Sequence, residues 1–282
     1  MTDAAKLTIL IATLNDRIAG VPSVLLPEVR PDVRYLVSFQ YTDNMFVAML
    51  PDVLRQRPDV TVLPFPSTGL AANRNNALRH CTTPLAIISD DDVRYTPERI
   101  SEVISMFEAA PTMSIAVFDH NKLALRLDTR LPAFDTRFGL GSAYLSCGEE
   151  EVFLHQSVKF GLDVRHFPGS LTFTPSSEAS TNVQPWSRFD YDKRVRRSYG
   201  ALQYMLHSTF VGALGAILLR AFGPRRRSQV ASATPVEVRT SRTAMLRDML
   251  DGLLYIVRHP LCDQSAEEVP LEFAPIDIFR MP

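Results

Sequence analysis

The sequence has almost no net charge, because 30 lysines and arginines face 31 aspartates and glutamates, which leaves −1 over 282 residues. General nucleic-acid binders carry a basic excess, so this balance argues against nucleic acid as a partner. Cysteine is also scarce, and Cys81, Cys147 and Cys262 form neither a CxxC pair nor a metal-finger spacing. Such isolated cysteines are typical of reduced, small buried residues in a cytosolic protein.

Two glycine-rich phosphate-binding motifs are missing. No GxGxxG follows a strand-like run and no GxxxxGK[ST] is present, so Rossmann dinucleotide binding and P-loop chemistry lack their signatures. The opening apolar run LTILIAT, residues 7–13, is short, follows a single lysine and contains threonine. It does not match a secretory signal peptide and predicts a β-strand instead.

Strand and helix patterns alternate along the first part of the chain. β-Branched and aliphatic runs predict strands, and helical patterns follow them. This alternation predicts an α/β domain with a mostly parallel sheet flanked by helices. In such sheets ligands bind beyond the carboxyl ends of the strands. The predicted strands are 7–13, 34–40, 60–63, 85–88 and 113–118, and the predicted helices lie near 18–28, 45–56, 71–80 and after Thr96.

One of these strands runs directly into three carboxylates, Asp90, Asp91 and Asp92. Like charges side by side repel, and each loses solvation in a cleft. A divalent cation makes the arrangement favourable, and Mg²⁺ or Mn²⁺ usually brings substrate phosphates with it. The triplet alone fits a metal–diphosphate site and an acidic turn that caps the next helix equally well.

A second acidic triplet, Glu149 to Glu151, follows Gly148 after a polar stretch at 120–147 that predicts a loop. The pattern predicts a helix that begins at these glutamates and ends at Gly161, followed by a strand. Acidic first turns are common because negative charge is favourable at a helix N-terminus. Taken alone, the triplet therefore favours a structural role over a catalytic one.

The C-terminal part has a different character. Residues 188–200 are basic, and 201–219 carry no formal charge if the histidine is neutral. That run is borderline in length for a membrane span, but polar residues dilute it. We expect a helix that lies on the catalytic domain or in the membrane interface, with flanking Arg and Lys at anionic headgroups; a plain core helix fits equally well. Residues 242–258 predict an amphipathic helix. The expected division is a catalytic domain at 1–187 and a helical extension at 188–282.

Three segments in this order resemble the family 2 glycosyltransferases, which have the GT-A fold. LTILIATLND ends in their Thr-x-Asn turn at Thr13 to Asn15, and residues 69–75 resemble their Gly-x-x-x-Ala-Arg-Asn helix, with Asn73 where alanine is usual. Asp90 and Asp92 match their metal-binding Asp-x-Asp, and Gly148 to Glu150 resemble their Gly-Glu-Asp helix start. The resemblance covers roughly residues 5–175.

The resemblance implies a metal-dependent, inverting transfer of a sugar from a UDP-, GDP- or dTDP-sugar to a glycan or lipid-linked acceptor. It implies Mn²⁺ or Mg²⁺ held by Asp92 with Asp90, where the ion neutralises charge on the leaving diphosphate. It implies Glu150 as the general base, with Glu149 second. The expected function is in cell-surface polysaccharide synthesis. The expected location is the cytoplasm, and peripheral contact with the inner face of the cell membrane stays an alternative. The implied donor-binding residues are Thr13, Asn15, Asp16, Gln40, Arg74, Asp90 and Asp91.

Some positions depart from the family pattern. The second strand usually ends in an acid that holds the nucleoside, whereas here it ends in Gln40, which could still hydrogen-bond a nucleobase. The base is Glu rather than Asp, a longer arm with the same chemistry. No metal-binding histidine follows the last strand, and we expect His166 to serve packing. Trp186 could stack on an acceptor sugar or simply pack.

Two other functions stay open at this point. A nucleotidyltransferase on a related sheet would need a glycine-rich loop with basic residues after the first strand, where ATLNDRIAG supplies only Arg17. A non-catalytic scaffold or binding subunit of a glycan assembly complex would have no need of intact DDD and GEE motifs. We therefore predict a glycosyltransferase.

Overall fold

A computed structural model describes residues 5–119, 122–127, 130–171, 188–207, 209–223 and 240–260. The predictions for Trp186, for Cys262 and for the arginines at 225–227 lie outside these residues. Seven strands form one sheet: β1 Leu7–Leu14, β2 Val33–Gln40, β3 Val60–Phe65, β4 Leu85–Asp90, β5 Met113–Phe118, β6 Lys122–Arg126 and β7 Asp163–His166.

The sheet has the strand order β3-β2-β1-β4-β6-β5-β7. Among the described strands only β6 runs antiparallel, between β4 and β5. From β1 the chain builds outward through β2 and β3, then returns to place β4 on the other side of β1. The strand order reverses between β1 and β4, and at such a switch point a crevice opens beyond the carboxyl ends of the two strands. The predicted mostly parallel sheet is confirmed.

Helices cover both faces of the sheet, and this explains why the central strands are apolar throughout rather than alternating. Ile9 of β1 packs on one face in the same core as Phe107, and Leu10 packs on the other face with Ala77. The helices are α1 Asp52–Gln56, α2 Leu70–His80, α3 Pro97–Ala109, α4 Glu149–Lys159, α5 Lys193–His207, α6 Phe210–Phe222 and α7 Arg242–Arg258, with 3₁₀ segments at Asn15–Val24 and Asn44–Met49.

The last three helices pack together and against the sheet domain. Helices α5 and α7 cross so closely that a Cβ on Gly200 would lie 1.8 Å from the Met249 carbonyl oxygen. The side chains of Leu202 in α5 and Ile256 in α7 share a core with Val152 of α4. The described part of the extension therefore lies on the sheet domain. None of the described helices combines the length and apolar character that a membrane span requires.

Several local predictions were wrong. The stretch predicted as a loop contains β6, and the helix predicted near 18–28 is instead a 3₁₀ segment at Asn15–Val24. The helix predicted at 45–56 divides before Pro51, which has no N–H to donate. His166 is exposed on β7 rather than packed. The missed strand β6 depends on its neighbours in the sheet, whereas the division before Pro51 follows from the proline itself.

The single helix predicted over 201–219 is two helices. Helix α5 ends at His207, and the side chain of Thr209 accepts a hydrogen bond from the Gly212 N–H at 3.1 Å, which begins α6 as an N-cap. Helix α6 continues to Phe222, beyond the predicted end.

Candidate active site

The carboxyl ends of β1 and β4 bring the middle carboxylate of the triplet into a buried hydrogen-bond network. The Thr13 hydroxyl donates to Asp91 Oδ2 at 2.7 Å, and Arg17 Nε donates to the same oxygen at 2.8 Å. The Arg17 Nη2 also bonds Asp91. The hydrogen bonds that Arg17 donates to Asp91, together with the nearby negative charges, raise the pKa of Arg17 against the effect of its partial burial. Asp91 thus fixes the loop after β1 to the end of β4.

Asp92 is the most solvent-accessible carboxylate of the triplet, with 39% of its side chain exposed. Its Oδ2 lies 3.6 Å from Arg17 Nη2. An accessible carboxylate at the mouth of a crevice supplies the hard oxygen donor that a divalent cation prefers.

Asp90 lies between two cations. Lys122 at the start of β6 donates to Oδ2 at 2.7 Å, and Arg74 Nη2 donates to Oδ1 at 3.2 Å. Burial acts to raise the pKa of Asp90, but the charges of Lys122 and Arg74 outweigh it and hold that pKa below its ordinary value. Asp90 is therefore ionised and has a cation at each oxygen.

Arg74 joins the aspartate triplet to the glutamates at the start of α4. Its guanidinium is buried, with 4% exposed, and its Nη1 lies 3.1 Å from Glu150 Oε1 and 3.7 Å from Glu149 Oε1. Burial works to lower the pKa of Arg74, but Glu150, Asp90 and Glu149 raise it above its ordinary value. One buried cation is thus shared by three carboxylates from two elements.

The asparagines of α2 explain how Arg74 is placed. Asn73, the departure from the usual alanine, donates to the Thr13 carbonyl at 3.0 Å and ties α2 to the end of β1. Asn75 donates to the Phe134 carbonyl at 2.8 Å and accepts from its N–H at 2.7 Å. The Phe134 ring in turn lies 5.5 Å from the Arg74 guanidinium carbon, a cation–π contact. The motif therefore positions its arginine through the residues on either side.

A glycine loop closes the space between α2 and α4. A Cβ on Gly139 would lie 3.0 Å from the carboxyl carbon of Glu149, so the loop backbone lies directly against that side chain. Leu140 accepts a hydrogen bond from the Leu70 N–H at 2.8 Å, at the start of α2. Gly139 and Gly141 have φ of 99° and 84°, a region that side chains disfavour.

Gly141→Ala is expected to destabilise the protein because its Cβ would lie 2.8 Å from the Gly69 Cα. We expect a loss of about 2–4 kcal/mol in the free energy of unfolding, from overpacking added to backbone strain. Gly161→Ala is the matched control, since its φ is 77° and no atom lies within 4 Å of the added Cβ. It should lose only about 1 kcal/mol, the strain alone. Equal losses in urea unfolding would show that the contact with Gly69 does not matter.

The two glutamates differ in exposure, and the pKa of each is raised. Burial raises the pKa of Glu150 to about 7, against the lowering effect of Arg74, and the charges of Glu149 and Asp90 add to the rise. Burial also raises the pKa of Glu149. Glu149 is buried, whereas a quarter of the Glu150 side chain is exposed. Glu150 is thus the glutamate that an incoming group can reach, and its pKa suits proton transfer near neutral pH.

A groove lies beyond β2 and β3. It has a volume of 690 Å³, and it is lined by Tyr41, Thr42, Asp43, Asn44, Pro66, Ser67 and Thr68. Asn15, which follows β1, contacts the groove, since its Oδ1 accepts from the Thr42 N–H at 2.9 Å. Gln40 is buried at the end of β2, and its Nε2 has no hydrogen-bond partner within the described part of the chain.

The predicted site residues do not all lie together. Asn15 and Gln40 lie beside the groove, and Asp16 is exposed on the 3₁₀ segment, where no contact with the other site residues is described. Three neighbours were missed: Arg17, Lys122 and Gly139. Arg17 was visible in the loop after the first strand, but nothing local marked Lys122, because β6 was not predicted. The other predicted residues form two adjacent sets of contacts. Thr13 and Arg17 contact Asp91, and Arg17 also lies near Asp92, whereas Arg74 contacts Asp90, Glu149 and Glu150. The two sets meet where Asp90 and Asp91 are consecutive in the chain.

Comparison with known proteins bears on this arrangement. Residues 40–161 match the family model described as Glycosyl transferase family 2. Over these residues the sequence therefore resembles that family. The match contains the triplet, the α2 motif and the glutamates of α4, so it confirms the resemblance and the enzyme class. It leaves β1 outside, and no curated protein matches the chain.

Solved structures show the fold of this glycosyltransferase. Mannosyltransferase PcManGT from Pyrobaculum calidifontis, solved in complex with GDP-Man and Mn²⁺, is 14% identical with a TM-score of 0.52, over 94% of this chain and 78% of that one. TarS from S. aureus is 11% identical with a TM-score of 0.50, over 77% of this chain and 42% of that one. At these identities the likeness establishes the fold, and it confirms the predicted GT-A architecture.

Proposed function

We propose that this glycosyltransferase transfers a sugar from a nucleotide-diphosphate donor to a hydroxyl of a glycan or lipid-linked acceptor, with inversion at the anomeric carbon. One observation carries the proposal: at the switch point of the sheet, Arg74 connects the aspartate triplet at the end of β4 to a partly exposed glutamate with a raised pKa. A diphosphate-binding edge and a proton acceptor thus face one crevice.

The donor set fits a divalent cation. Asp92 is accessible and offers hard carboxylate oxygens, and Asp90 is adjacent, although Lys122 and Arg74 contact its two oxygens. Within the described residues no group of three or more His, Cys, Asp or Glu is arranged to hold a metal. A cation bound through one or two carboxylates together with substrate phosphates is usual for Mg²⁺. We propose Mn²⁺ or Mg²⁺ on Asp92 and Asp90, where it would neutralise charge on the diphosphate.

The residues of the chain supply the rest of the chemistry. Glu150 accepts the proton of the acceptor hydroxyl as that oxygen bonds to the anomeric carbon and the bond from this carbon to the diphosphate oxygen breaks. Arg74 keeps the glutamate in place and limits the rise of its pKa. Lys122 and Arg17 are the cations nearest the triplet, and they favour an anionic donor at this edge.

The groove beyond β2 and β3 is the site that we propose for the nucleoside. Its volume of 690 Å³ lies within the range of small-molecule sites. Thr13 lies at the end of β1 beside Asp91, and Asn15, two residues later, contacts the groove. We propose that these residues and Asp16 line the nucleoside pocket. The amide of Gln40 has an unused donor that a nucleobase carbonyl would satisfy.

A thermal-shift screen tests the donor and the metal together. UDP-, GDP- and dTDP-sugars are each measured with and without Mn²⁺, and we expect one nucleotide to raise the melting temperature only when the ion is present. At about 100 times Kd, ligand binding adds about 2.7 kcal/mol to the free energy of unfolding, which several degrees of shift report.

Asp92→Asn should remove that shift, because a neutral amide is a poor ligand for a hard cation. Asp119→Asn is the control, since Asp119 lies on the loop after β5, where it accepts from the Gly169 N–H, and it should shift as the wild type does. A full shift in Asp92→Asn would remove the metal assignment. The absence of any shift for every donor would favour a scaffold subunit, and incorporation of a nucleoside monophosphate into product would favour a nucleotidyltransferase.

We also propose that the chain works in the cytoplasm in cell-surface polysaccharide synthesis, with peripheral contact at the inner face of the membrane. The C-terminal helices support this location, because α6 is strongly apolar and adjoins basic residues.

A further inference from the structure

Helix α6 exposes a row of large apolar side chains. The exposed fractions of Val211 and Leu219 are 79% and 75%, and Phe210, Leu218 and Phe222 are each more than 40% exposed. The opposite side of the helix is buried against α5 and α7 through small or compact residues, at Ala213, Ile217 and Ala221. Five large exposed hydrophobics within 13 residues form a contiguous patch of the kind that marks an interaction site.

Two arginines lie at the C-terminal end of the patch. Arg220, the one charged residue of α6, places its guanidinium 4.3 Å from the Phe189 ring. Arg242 donates to the Phe222 carbonyl at 3.3 Å, where α6 ends. Both arginines are exposed. The patch is therefore an apolar surface with two cations at one end.

We infer that this α6 patch docks the protein on an anionic lipid bilayer, with the helix parallel to the membrane plane. At 1.5 Å per residue α6 is about 20 Å long, too short for the roughly 30 Å hydrocarbon core but suited to the interface. An interfacial helix buries its apolar face among the headgroups and outer acyl chains, and cations beside it meet anionic lipids. The inference deepens the proposed peripheral contact by assigning its surface.

A bilayer suits this surface better than a second copy of the chain. A specific protein interface takes about 20–30 residues from each side and has a polar rim, whereas this patch consists of five large apolar side chains on one short helix. A second copy would also bring the same guanidinium groups, whereas anionic headgroups carry the complementary charge.

Vesicle flotation of the full chain tests the inference without any donor or acceptor. We expect the protein to float with vesicles of phosphatidylcholine and phosphatidylglycerol, and to float less with phosphatidylcholine alone or at high salt. Val211→Glu with Leu219→Glu should lower the bound fraction at least about tenfold, because two charges would enter an apolar phase. Both positions are exposed, so the fold is kept.

Val158→Glu with Phe160→Glu is the matched control. These residues of the sheet domain are 60% and 55% exposed, and their replacement should leave flotation unchanged. Arg220→Gln with Arg242→Gln should keep the apolar contribution to binding and reduce its salt dependence.

The α6 variant, Val211→Glu with Leu219→Glu, decides the outcome. The inference is overturned if the wild type stays out of the lipid fraction, or if the α6 variant floats as the wild type does. A wild-type dimer that the α6 variant converts to monomer would instead identify a second copy as the occupant. Donor-induced thermal shifts, measured separately, should persist in the α6 variant. A failure of the membrane inference would therefore leave the catalytic proposal intact.

Discussion

Glu150→Gln is expected to slow sugar transfer by about 10²- to 10⁴-fold while the donor still binds. Glutamine keeps the shape of the side chain, but it cannot accept the proton of the acceptor hydroxyl. The donor is proposed to bind through the ends of β1 and β4, on the other side of Arg74, so its affinity should stay within about threefold of wild type. Single-turnover transfer and calorimetric titration of the donor separate the two effects.

The pH profile gives a second readout for the same residue. The groups that face Glu150 are Arg74, which lowers its pKa, and Glu149, Asp90 and Glu151, which raise it; with burial the pKa is about 7. A base acts in its ionised form, so wild-type kcat/KM should rise about tenfold per pH unit below 7 and level off above it. The Gln variant should lose this rise.

Glu149→Gln is the control, since it makes the same change at the adjacent position. Glu149 is buried against the glycine loop, so its variant should keep the rise of rate with pH even if the rate itself falls. If Glu149→Gln flattens the profile and Glu150→Gln does not, the base is Glu149. Full activity in both variants would leave the α4 glutamates without a catalytic role.

The sequence contained the motifs of the site, but not the contacts that connect them. Each motif is local: a strand end, a helix start and their turn residues lie within a few positions of one another. Lys122 has no such signal. It reaches Asp90 because β6 pairs antiparallel with β4, with Ile87 opposite Ala124, and this register is set by long-range packing that a polar stretch does not predict.

Arg74 and helix α6 also show the difference between what a local motif predicts and what long-range contacts determine. The resemblance implied that Arg74 binds the donor, but its contact with Glu150 depends on how α4 packs across the crevice. The apolar run at 201–219 predicted a helix, yet Thr209 divides it, since an N-cap hydrogen bond satisfies a backbone donor that a continuous helix would use internally. Local patterns therefore predicted the elements, and tertiary contacts determined their limits and the electrostatics of the site.

Arg74→Met is expected to lower the free energy of unfolding by about 3–5 kcal/mol at pH 8, the usual loss when one partner of a buried ion pair is removed. Methionine fills a similar volume but leaves Asp90, Glu149 and Glu150 without the cation they share. The pKa values of the two glutamates, already raised by burial, should then rise further. Urea unfolding at several pH values measures the loss.

The direction of the pH dependence distinguishes this effect from a simple packing defect. A carboxyl whose pKa is higher in the folded than in the unfolded state binds protons on folding, so stability is gained as pH falls. The stability deficit of Arg74→Met should therefore shrink from pH 8 to pH 5.5 as the glutamates take up protons.

Arg196→Met is the matched control, because Arg196 is equally buried but pairs with a single carboxylate, Asp248, at 2.8 Å. Its deficit should depend less on pH, and Arg74→Lys, which keeps one charge, should recover part of the loss. An Arg74→Met deficit that stays constant with pH would mean that the three carboxylates do not depend on Arg74 for their charge.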